Sequence, residues 1–142
     1  MSISIRETKD EDFPQISILL KKSKMDAYIT EKKFSDMLIR NKGCCYVAVE
    51  EGNIVGSVFG VHDGAFIGYI RKLVVSENYR RKGIATMLAQ KVIAEFDKVG
   101  IPLIFVHIEK ENVPSIALFK SLGFGVKDSH YFMETVHSPK TN

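Results

Sequence analysis

The feature that most constrains the fold is the stretch of residues 73–86. An apolar run suited to a strand (73–75) meets a polar turn (76–78), three consecutive cations (80–82) and Gly83, where an amphipathic helix begins. The first amides of a helix lack partners within the helix, and its dipole places partial positive charge there. A glycine lets an anion approach the backbone closely because no Cβ is present. The stretch therefore predicts an anion site suited to a pyrophosphate.

Two common nucleotide-binding loops are excluded by their spacing. The triphosphate loop requires G-x-x-x-x-G-K-[ST], and the dinucleotide loop requires G-x-G-x-x-G, but Gly83 has no suitably placed glycine companions. The local pattern leaves one structural alternative open, an ordinary strand, turn and helix with a solvated basic turn.

The helix after the turn has the clearest periodicity in the chain. Its apolar residues recur at spacings of four and three from Ile84 to Val99, and Gly100 follows as a helix-ending residue. Residues 103–108 form a continuous apolar run, which predicts a strand buried on both faces. Strand 66–75, helix 83–99 and strand 103–108 then form a β-α-β unit with parallel strands.

The remaining elements predict an α/β (α+β) fold. We expect a central mixed, mostly antiparallel sheet, a β-α-β core and about four helices, in a single domain over residues 1–136 with a loose tail over 137–142. The other predicted elements are a strand at Ile5–Arg6, a helix from near Asp12, a helix capped by Thr30, strands 44–50 and 53–62 around the turn Glu51-Gly52, helix 113–121 and a last strand at 131–136.

Composition limits the classes of function. The chain has 142 residues and a net charge of +3, which is too small to favour nucleic acid but suits an anionic small ligand. No apolar run approaches the roughly 20 residues that span a bilayer, and residues 1–10 lack the apolar core of a signal peptide. Cys44 and Cys45 are adjacent, so we expect buried thiols in a reducing cytoplasm, and with four scattered histidines they predict no metal site.

A second pattern lies at residues 112–124, N-V-P-S-I-A-L-F-K-S-L-G-F. It resembles the late motif of the GNAT superfamily of N-acetyltransferases, N-x-x-[AS]-I-x-L-Y-x-x-x-G-[FY]. Arg80-x-x-Gly83-x-Ala85 resembles the same family's coenzyme A loop, [QR]-x-x-G-x-[GA]. The two motifs occur in the family's order, and the resemblance extends from the first strand to the last. It implies a GNAT fold that uses acetyl-CoA as cosubstrate and transfers the acetyl group to a primary amine by direct attack, without a covalent acyl-enzyme.

The resemblance also implies where the coenzyme lies. The two parallel strands would splay apart, and the pantetheine arm would run along the first of them, with its thioester near backbone amides that stabilise an oxyanion. The tyrosine that commonly protonates the departing thiolate in this family is replaced here by Phe119. The residues implied in coenzyme binding are Leu73, Val74, Val75, Arg80, Arg81, Lys82, Gly83, Ile84, Ala85, Thr86, Asn112, Ser115 and Phe119.

Two positions are candidates for the catalytic groups. The family often carries a glutamate base at one of two places, which correspond here to Tyr69 and His107. His107 alternates with Phe105 and Glu109 along the predicted strand, and a neutral imidazole can accept a proton. The competing interpretation of His107 is a core histidine satisfied by a hydrogen bond. Tyr69 would hold a water or contact the acceptor, and Glu109 is the solvated alternative.

Other functions and partners remain open at this level. A non-catalytic module that binds or senses acyl-CoA would keep the anion site, and Phe119 favours it. A nucleic-acid-binding domain is disfavoured, because three local cations have no accompanying aromatic ladder. The acceptor could be a protein N-terminus, a lysine, an amino acid, a polyamine or a drug, and the chain could be a monomer or a homodimer. We expect no membrane partner.

Overall fold

A five-stranded sheet organises the structure, a computed structural model that describes residues 2–139. Short 3-10 turns cover Asp10–Asp12 and Glu77–Tyr79. The strands are β1 (Ser4–Glu7), β2 (Tyr46–Glu50), β3 (Asn53–His62), β4 (Ile67–Val75) and β5 (Leu103–Phe105), and the helices are α1 (Phe13–Lys22), α2 (Glu31–Arg40), α3 (Ile84–Val99) and α4 (Val113–Ser121).

The strand order in space is the order in the chain. β1 to β4 pair in antiparallel fashion, with short turns joining β2 to β3 and β3 to β4 and with α1 and α2 between β1 and β2, and β5 pairs with β4 in parallel fashion across α3. The predicted mixed, mostly antiparallel sheet with a β-α-β core and four helices is confirmed, and α3 and α4 have the lengths that their capping residues predict.

The two faces of the sheet are covered by different helices. On one face α1 and α2 contribute to a core that includes Phe34, Phe59 and Val74. On the other face α3 lies very close to the strands, because a Cβ built at Gly68 would fall 2.6 Å from the ring of Phe96. Glycine at this position therefore lets the apolar face of α3 rest against the strand backbone.

A β-bulge interrupts β4 at Lys72. The register runs Ser57 with Val74 and then Phe59 with Arg71, so β4 has one residue more than β3 in this interval. Lys72 adopts a left-handed backbone conformation with φ of +54°, which non-glycine residues rarely adopt. Its Nζ donates to the Met25 carbonyl oxygen at 2.6 Å, which fixes the side chain against the segment between α1 and α2.

The prediction for β5 was wrong in length and burial. The strand ends at Phe105 rather than at residue 108, so His107 lies beyond it, and Leu103 is 50% exposed. Residues 103–105 pair with β4, and in the described residues this strand lies at the end of the sheet order. An apolar run alone does not distinguish a central strand from a short one at a margin.

The predicted last strand at 131–136 was also wrong. These residues form neither helix nor strand, and Tyr131 and Met133 are 96% and 86% exposed. Phe132 and Met133 are adjacent apolar residues, so the segment lacks the alternation that buries one face of a strand. Of the predicted tail, 137–139 are irregular and exposed, and 140–142 lie outside the described residues.

The backbone contacts divide the chain into two compact units. The first unit ends at His107 and holds the sheet with α1, α2 and α3, and the second unit begins at Ile108 and holds α4. A single domain over residues 1–136 stays a prediction. Among the helices of residues 2–139, none has the length and apolar character needed to cross a bilayer.

Cys44 and Cys45 are free and almost completely buried, as expected from the sequence. Burial raises the pKa of the Cys44 thiol to about 11 and that of the Cys45 thiol to about 12. Both therefore stay protonated near neutral pH, and they act as small apolar side chains of the core.

Candidate functional site

The loop between β4 and α3 is held by hydrogen bonds to backbone carbonyl groups of β3 and β4. Ser76 N donates to the Val55 carbonyl oxygen at 2.8 Å, which anchors the start of the loop to β3. The Nε of Arg80 donates to the Val75 carbonyl oxygen at 3.1 Å, so this guanidinium folds back over the end of β4. These two hydrogen bonds give the loop a defined geometry.

The beginning of α3 is open. Gly83 lies in the left-handed region with φ of +79°, and in residues 2–139 no atom beyond its chain neighbours lies within 4 Å of the place where a Cβ would stand. The helix has no side-chain cap and no acidic residue in its first turn. Because Met87 N donates to the Gly83 carbonyl oxygen at 3.0 Å, the amides of Ile84, Ala85 and Thr86 come before the helical hydrogen-bond ladder. These donors and the helix dipole favour an anion.

The three cations of the loop directly precede this helix end in the chain. Arg80, Arg81 and Lys82 are all exposed. Arg81 adopts a left-handed conformation with φ of +63°, and the Nζ of Lys82 lies 5.4 Å from the centre of the Tyr79 ring. A strained backbone at a non-glycine residue is often found where a loop is shaped for a ligand.

The margin of β4 beyond Tyr69 extends past its partner strand. In the described residues, β5 pairs with β4 only through Ile67, Gly68 and Tyr69. The segment 70–75 continues past the last of these pairs, and it contains Leu73, Val74 and Val75. An extended ligand can hydrogen-bond to such a strand margin as an added strand would. This is the arrangement that the expected splay requires.

Tyr69 and His107 lie next to each other where the pairing of β4 and β5 ends. Tyr69 is opposite Phe105 in the parallel register, with ring centres 5.4 Å apart, and the Tyr69 and His107 ring centres are 5.9 Å apart. His107 is exposed and Tyr69 is partly buried. The structure therefore brings the two candidate catalytic residues together, and the exposure of His107 contradicts the core-histidine interpretation.

The candidate residues of the second unit have local structural roles. The Asn112 side-chain oxygen caps α4 by accepting from Ser115 N at 3.3 Å. Phe119 is 3% exposed, and its ring contacts that of Phe124 at 5.1 Å. Phe124 N also donates to the Phe119 carbonyl oxygen at 2.9 Å, so this contact belongs to the turn that ends the helix. Coenzyme binding by these residues stays a prediction.

Lys72 is a site feature that the sequence interpretation did not include. Partial burial lowers the pKa of its ammonium, and the neighbouring Arg71 lowers it further. The only sequence feature pointing to it is the pair Arg71-Lys72, which interrupts the apolar pattern of the strand. Its left-handed conformation has no local signature, because glycine usually occupies such a position.

Comparisons with known proteins agree with this geometry. A sequence model described as "Acetyltransferase (GNAT) family" matches residues 4–124. N-alpha-acetyltransferase MAK3 of Arabidopsis thaliana is 33% identical over 94 residues, which cover 63% of this chain and 50% of that protein. The [ribosomal protein bS18]-alanine N-acetyltransferase of Escherichia coli K12 is 33% identical over 52 residues, which cover 37% of this chain and 35% of that protein. The chain thus spans half or less of the length of these relatives.

Solved structures show the same fold. Ard1 from Thermoplasma volcanium superposes with a TM-score of 0.80 at 20% identity, over 89% of this chain and 85% of that one. Arabidopsis thaliana Naa50, in complex with the bisubstrate analogue CoA-Ac-MVNAL, superposes with a TM-score of 0.76 at 24% identity, over 90% of this chain and 86% of that one. Because the family match covers most of the sequence, we conclude that the chain belongs to the acetyltransferase (GNAT) family.

Proposed function

We propose that the chain is an acetyl-CoA-dependent N-acetyltransferase whose acceptor is the α-amino group of a peptide or protein. The observation that carries the proposal is the Tyr69–His107 pair, at the point where β4 leaves β5 and continues toward the open end of α3. Tyr69 lies on the strand that leads into the loop before α3, and His107 lies beside it, just past the end of β5. A cytoplasmic location is part of the proposal, and the two free, buried cysteines support it.

The chemistry requires no covalent enzyme intermediate. The neutral amine attacks the thioester carbonyl, and the carbonyl oxygen becomes an oxyanion that backbone amides of β4 near Leu73 could stabilise. The amine proton passes to His107, directly or through a water held by Tyr69. The carbon–sulfur bond then breaks, and coenzyme A leaves as a thiolate that takes up a proton.

The lack of a tyrosine at Phe119 does not prevent this reaction. A cysteine thiol in a model peptide has a pKa of about 8.5, and a thiolate is therefore a tolerable leaving group near neutral pH. A general acid typically contributes 10²-fold or more, and its loss would slow turnover without abolishing it. Water can supply the proton after the bond has broken.

The kind of base favours an α-amine over a lysine. A peptide α-amino group has a pKa of about 8, whereas a lysine has one of about 10.4. Histidine is a weak base, so it suits an amine that is already partly neutral. Arg71 and Lys72 follow Tyr69 on β4, and positive charge near the site further favours a neutral amine. The relatives named N-alpha-acetyltransferase and alanine N-acetyltransferase support the same choice.

A module that only binds acyl-CoA is the second candidate, and the aromatic, non-ionisable Phe119 is the observation that favours it. It would bind the coenzyme but release no thiol in the presence of amines.

Because Cys44 and Cys45 are buried with raised pKa values, a thiol reagent should detect coenzyme A release over a low background from the folded protein.

The first test measures thiol release from acetyl-CoA with four acceptors. These are a peptide with a free N-terminus and no lysine, the same peptide N-terminally blocked with an internal lysine, a polyamine and an aminoglycoside. We expect the free N-terminus to give a kcat/KM at least about tenfold above the others. Coenzyme binding without thiol release from any acceptor would establish the binding module instead.

The second test concerns His107. Replacing it with alanine (His107→Ala) should lower kcat by about 10²-fold and leave the KM for acetyl-CoA little changed, because the proton transfer occurs only in the transition state. His107→Glu should recover part of the loss and extend activity to lower pH.

The control for this test is His62→Ala. His62 also contacts an aromatic ring, that of Phe96 at 5.7 Å, but this ring belongs to α3 on the other side of the sheet. His62→Ala can lower thermal stability, yet it should leave the pH profile unchanged. A His107→Ala variant with native kcat and a native pH profile would exclude histidine as the base.

A further inference from the structure

The amine of Lys72 lies beside the proposed site, and the transfer to a peptide does not use it. Lys72 lies in the bulge of β4, three residues after Tyr69, and its carbonyl carbon is bonded to the nitrogen of Leu73. The amide of Leu73 is near the proposed position of the oxyanion. Three strand residues span about 10 Å, so Lys72 lies at the level expected for the thioester. Bulges beside active sites often redirect a side chain.

The Lys72 side chain points to the face of the sheet that carries Tyr69. Its Nζ donates to the Met25 carbonyl oxygen at 2.6 Å, and Met25 packs against the core that includes Phe59. Val61, two residues after Phe59, is opposite Tyr69. Residues two apart on a strand share a face, as do residues opposite each other in an antiparallel pair. The amine of Lys72 and the ring of Tyr69 are therefore on one side of the sheet.

Burial and neighbouring charge make this amine more nucleophilic than that of an ordinary lysine. Partial burial lowers the pKa of the Lys72 ammonium, and Arg71 lowers it further, whereas Asp26 acts in the opposite direction. In the part of the chain that the structure describes, no ion pair joins Lys72 to a carboxylate. Desolvation and a neighbouring cation are two ways in which proteins activate a lysine nucleophile.

The hydrogen bond to Met25 is compatible with attack on a thioester. A neutral amine keeps two N–H bonds and one lone pair, so one N–H can stay on the Met25 carbonyl oxygen while the lone pair points elsewhere. The flexible four-carbon stem of a lysine lets the nitrogen reach a carbonyl beside its own strand.

We propose that Lys72 is itself an acetyl acceptor, modified at Nζ by the acetyl-CoA bound to the same chain. The inference rests on the proposed use of acetyl-CoA. The Lys72 nitrogen attacks the acetyl carbonyl carbon and forms a carbon–nitrogen bond. The carbon–sulfur bond breaks with its electron pair on sulfur, and the coenzyme thiolate takes up, directly or through water, the proton that the nitrogen loses. The products are Nζ-acetylated Lys72 and coenzyme A.

The main test follows label from acetyl-CoA that carries a deuterated acetyl group, which distinguishes new acetyl groups from those acquired during expression. Peptide mapping by mass spectrometry gives the labelled fraction at each lysine. We expect Lys72 to be labelled at least about 10-fold faster than Lys33 or Lys42, because its amine is activated. Lys33 is the matched control, since it lines one recess with Lys72 but is exposed, and Lys42 is an exposed lysine outside that recess.

Competition with coenzyme A distinguishes bound donor from free donor. Saturating coenzyme A should slow the labelling of Lys72 by at least about 10-fold, because it occupies the site, and should leave the labelling of Lys42 unchanged. The rate at Lys72 should not depend on protein concentration. Equal labelling of the three lysines, no effect of coenzyme A, or a rate that rises with protein concentration would overturn transfer within one chain.

Lys72→Arg removes the acceptor and keeps a donor for the Met25 carbonyl oxygen, since a guanidinium stays charged. The variant should lose the label at position 72 and gain none elsewhere, with a thermal midpoint near that of the native protein. Lys33→Arg should keep the native label at Lys72. A label that persists in full in the intact mass of Lys72→Arg would overturn the assignment.

The same samples are assayed for acetylation of a peptide with a free N-terminus. Labelled Lys72 without peptide acetylation would support the modification of Lys72 and overturn the proposed transfer to a peptide. Peptide acetylation with Lys72 labelled no faster than Lys33 would overturn the modification and leave the proposed function standing.

Discussion

Each end of α3 has a glycine in the left-handed region, yet the two ends differ in how their backbone groups are hydrogen-bonded. At the C-terminal end Gly100, with φ of +89°, donates to the carbonyl oxygens of Phe96 and Asp97, and Ile101 N also returns to Phe96. The end of the helix is thus closed by its own chain. At the N-terminal end Gly83 turns the chain in the same region of backbone space, but no side chain caps the first amides.

The difference shows that a helix N-terminus can bind an anion only when its first backbone amides do not already donate to a capping side chain. α2 and α4 show the capped case, because Thr30 caps α2 by accepting from Lys33 N and Asn112 caps α4 by accepting from Ser115 N, whereas α1 follows directly on the 3-10 turn Asp10–Asp12. Capping residues of this kind contribute about 1 kcal/mol to a helix. Among the described residues no side chain gives α3 that stabilisation, and three cations directly precede its first turn.

The contrast between the two ends of α3 is tested most strongly by placing the same residue at both glycines. Gly83→Val should weaken coenzyme A binding by at least about 100-fold, because a branched side chain hinders phosphate approach and distorts a loop that needs positive φ. Gly100→Val has the same backbone strain with open space around its Cβ, so it should cost stability without changing affinity. Isothermal titration calorimetry and thermal unfolding of both variants give the two quantities.

Equal coenzyme affinity in the two valine variants would remove the anion site from the beginning of α3. Circular dichroism tests whether Gly83→Val loses affinity because it has unfolded. We expect the variant to keep a near-native helix signal. Gly83→Asn adds a further check, because asparagine tolerates the left-handed region and should fold more easily than valine.

A smaller effect is expected when the open end is given a charge of its own. Thr86→Glu places a carboxylate in the first turn of α3, where it should stabilise the helix by about 0.3–1 kcal/mol through the dipole. The same carboxylate repels phosphate, so coenzyme affinity should fall by about tenfold. Thr86→Gln, which has the same shape without charge, is the control, and identical affinities for the two variants would argue against a bound anion.

The smallest expected effects concern the loop cations. Lys82→Ala should weaken coenzyme binding by less than about tenfold and reduce its salt dependence, because an exposed charge contributes on the order of 1 kcal/mol. Arg81→Gly removes a charge and also relieves a left-handed conformation. It should therefore weaken binding slightly without lowering the urea midpoint, and a clear loss of stability would show that Arg81 has a structural role.

Sequence patterns predicted the parts of this molecule that depend on local chemistry. The bounds of α3 followed from its apolar spacing and from the glycines beside it, and the cap at Thr30 followed from its residue type. The anion site was predicted for the same reason, because a strand, a basic turn and a helix start are all local features.

The features that were missed depend on partners far away in the chain. Tyr69 and His107 were each predicted as candidates, but their contact follows from the parallel register of Tyr69 with Phe105, which no local pattern specifies. A recess beside the segment between α1 and α2 likewise combines residues from β3, β4, α2 and that segment. The segment 131–136 has strand-forming residues, yet strand propensity has little meaning without a neighbour to pair with.

The extra residue at Lys72 changes which way the rest of β4 faces. Before it, odd-numbered Tyr69 and Arg71 share the face covered by α1 and α2, and after it even-numbered Val74 takes that face. One inserted residue thus reverses the parity of the strand between Tyr69 and the loop that precedes α3. Substitutions at this point can alter the chemistry of the site. Only a deletion or a second insertion can change which sheet face the residues before the loop share with Tyr69. Length variation in β4 is therefore the step by which such a scaffold could acquire a different arrangement of acceptor and coenzyme.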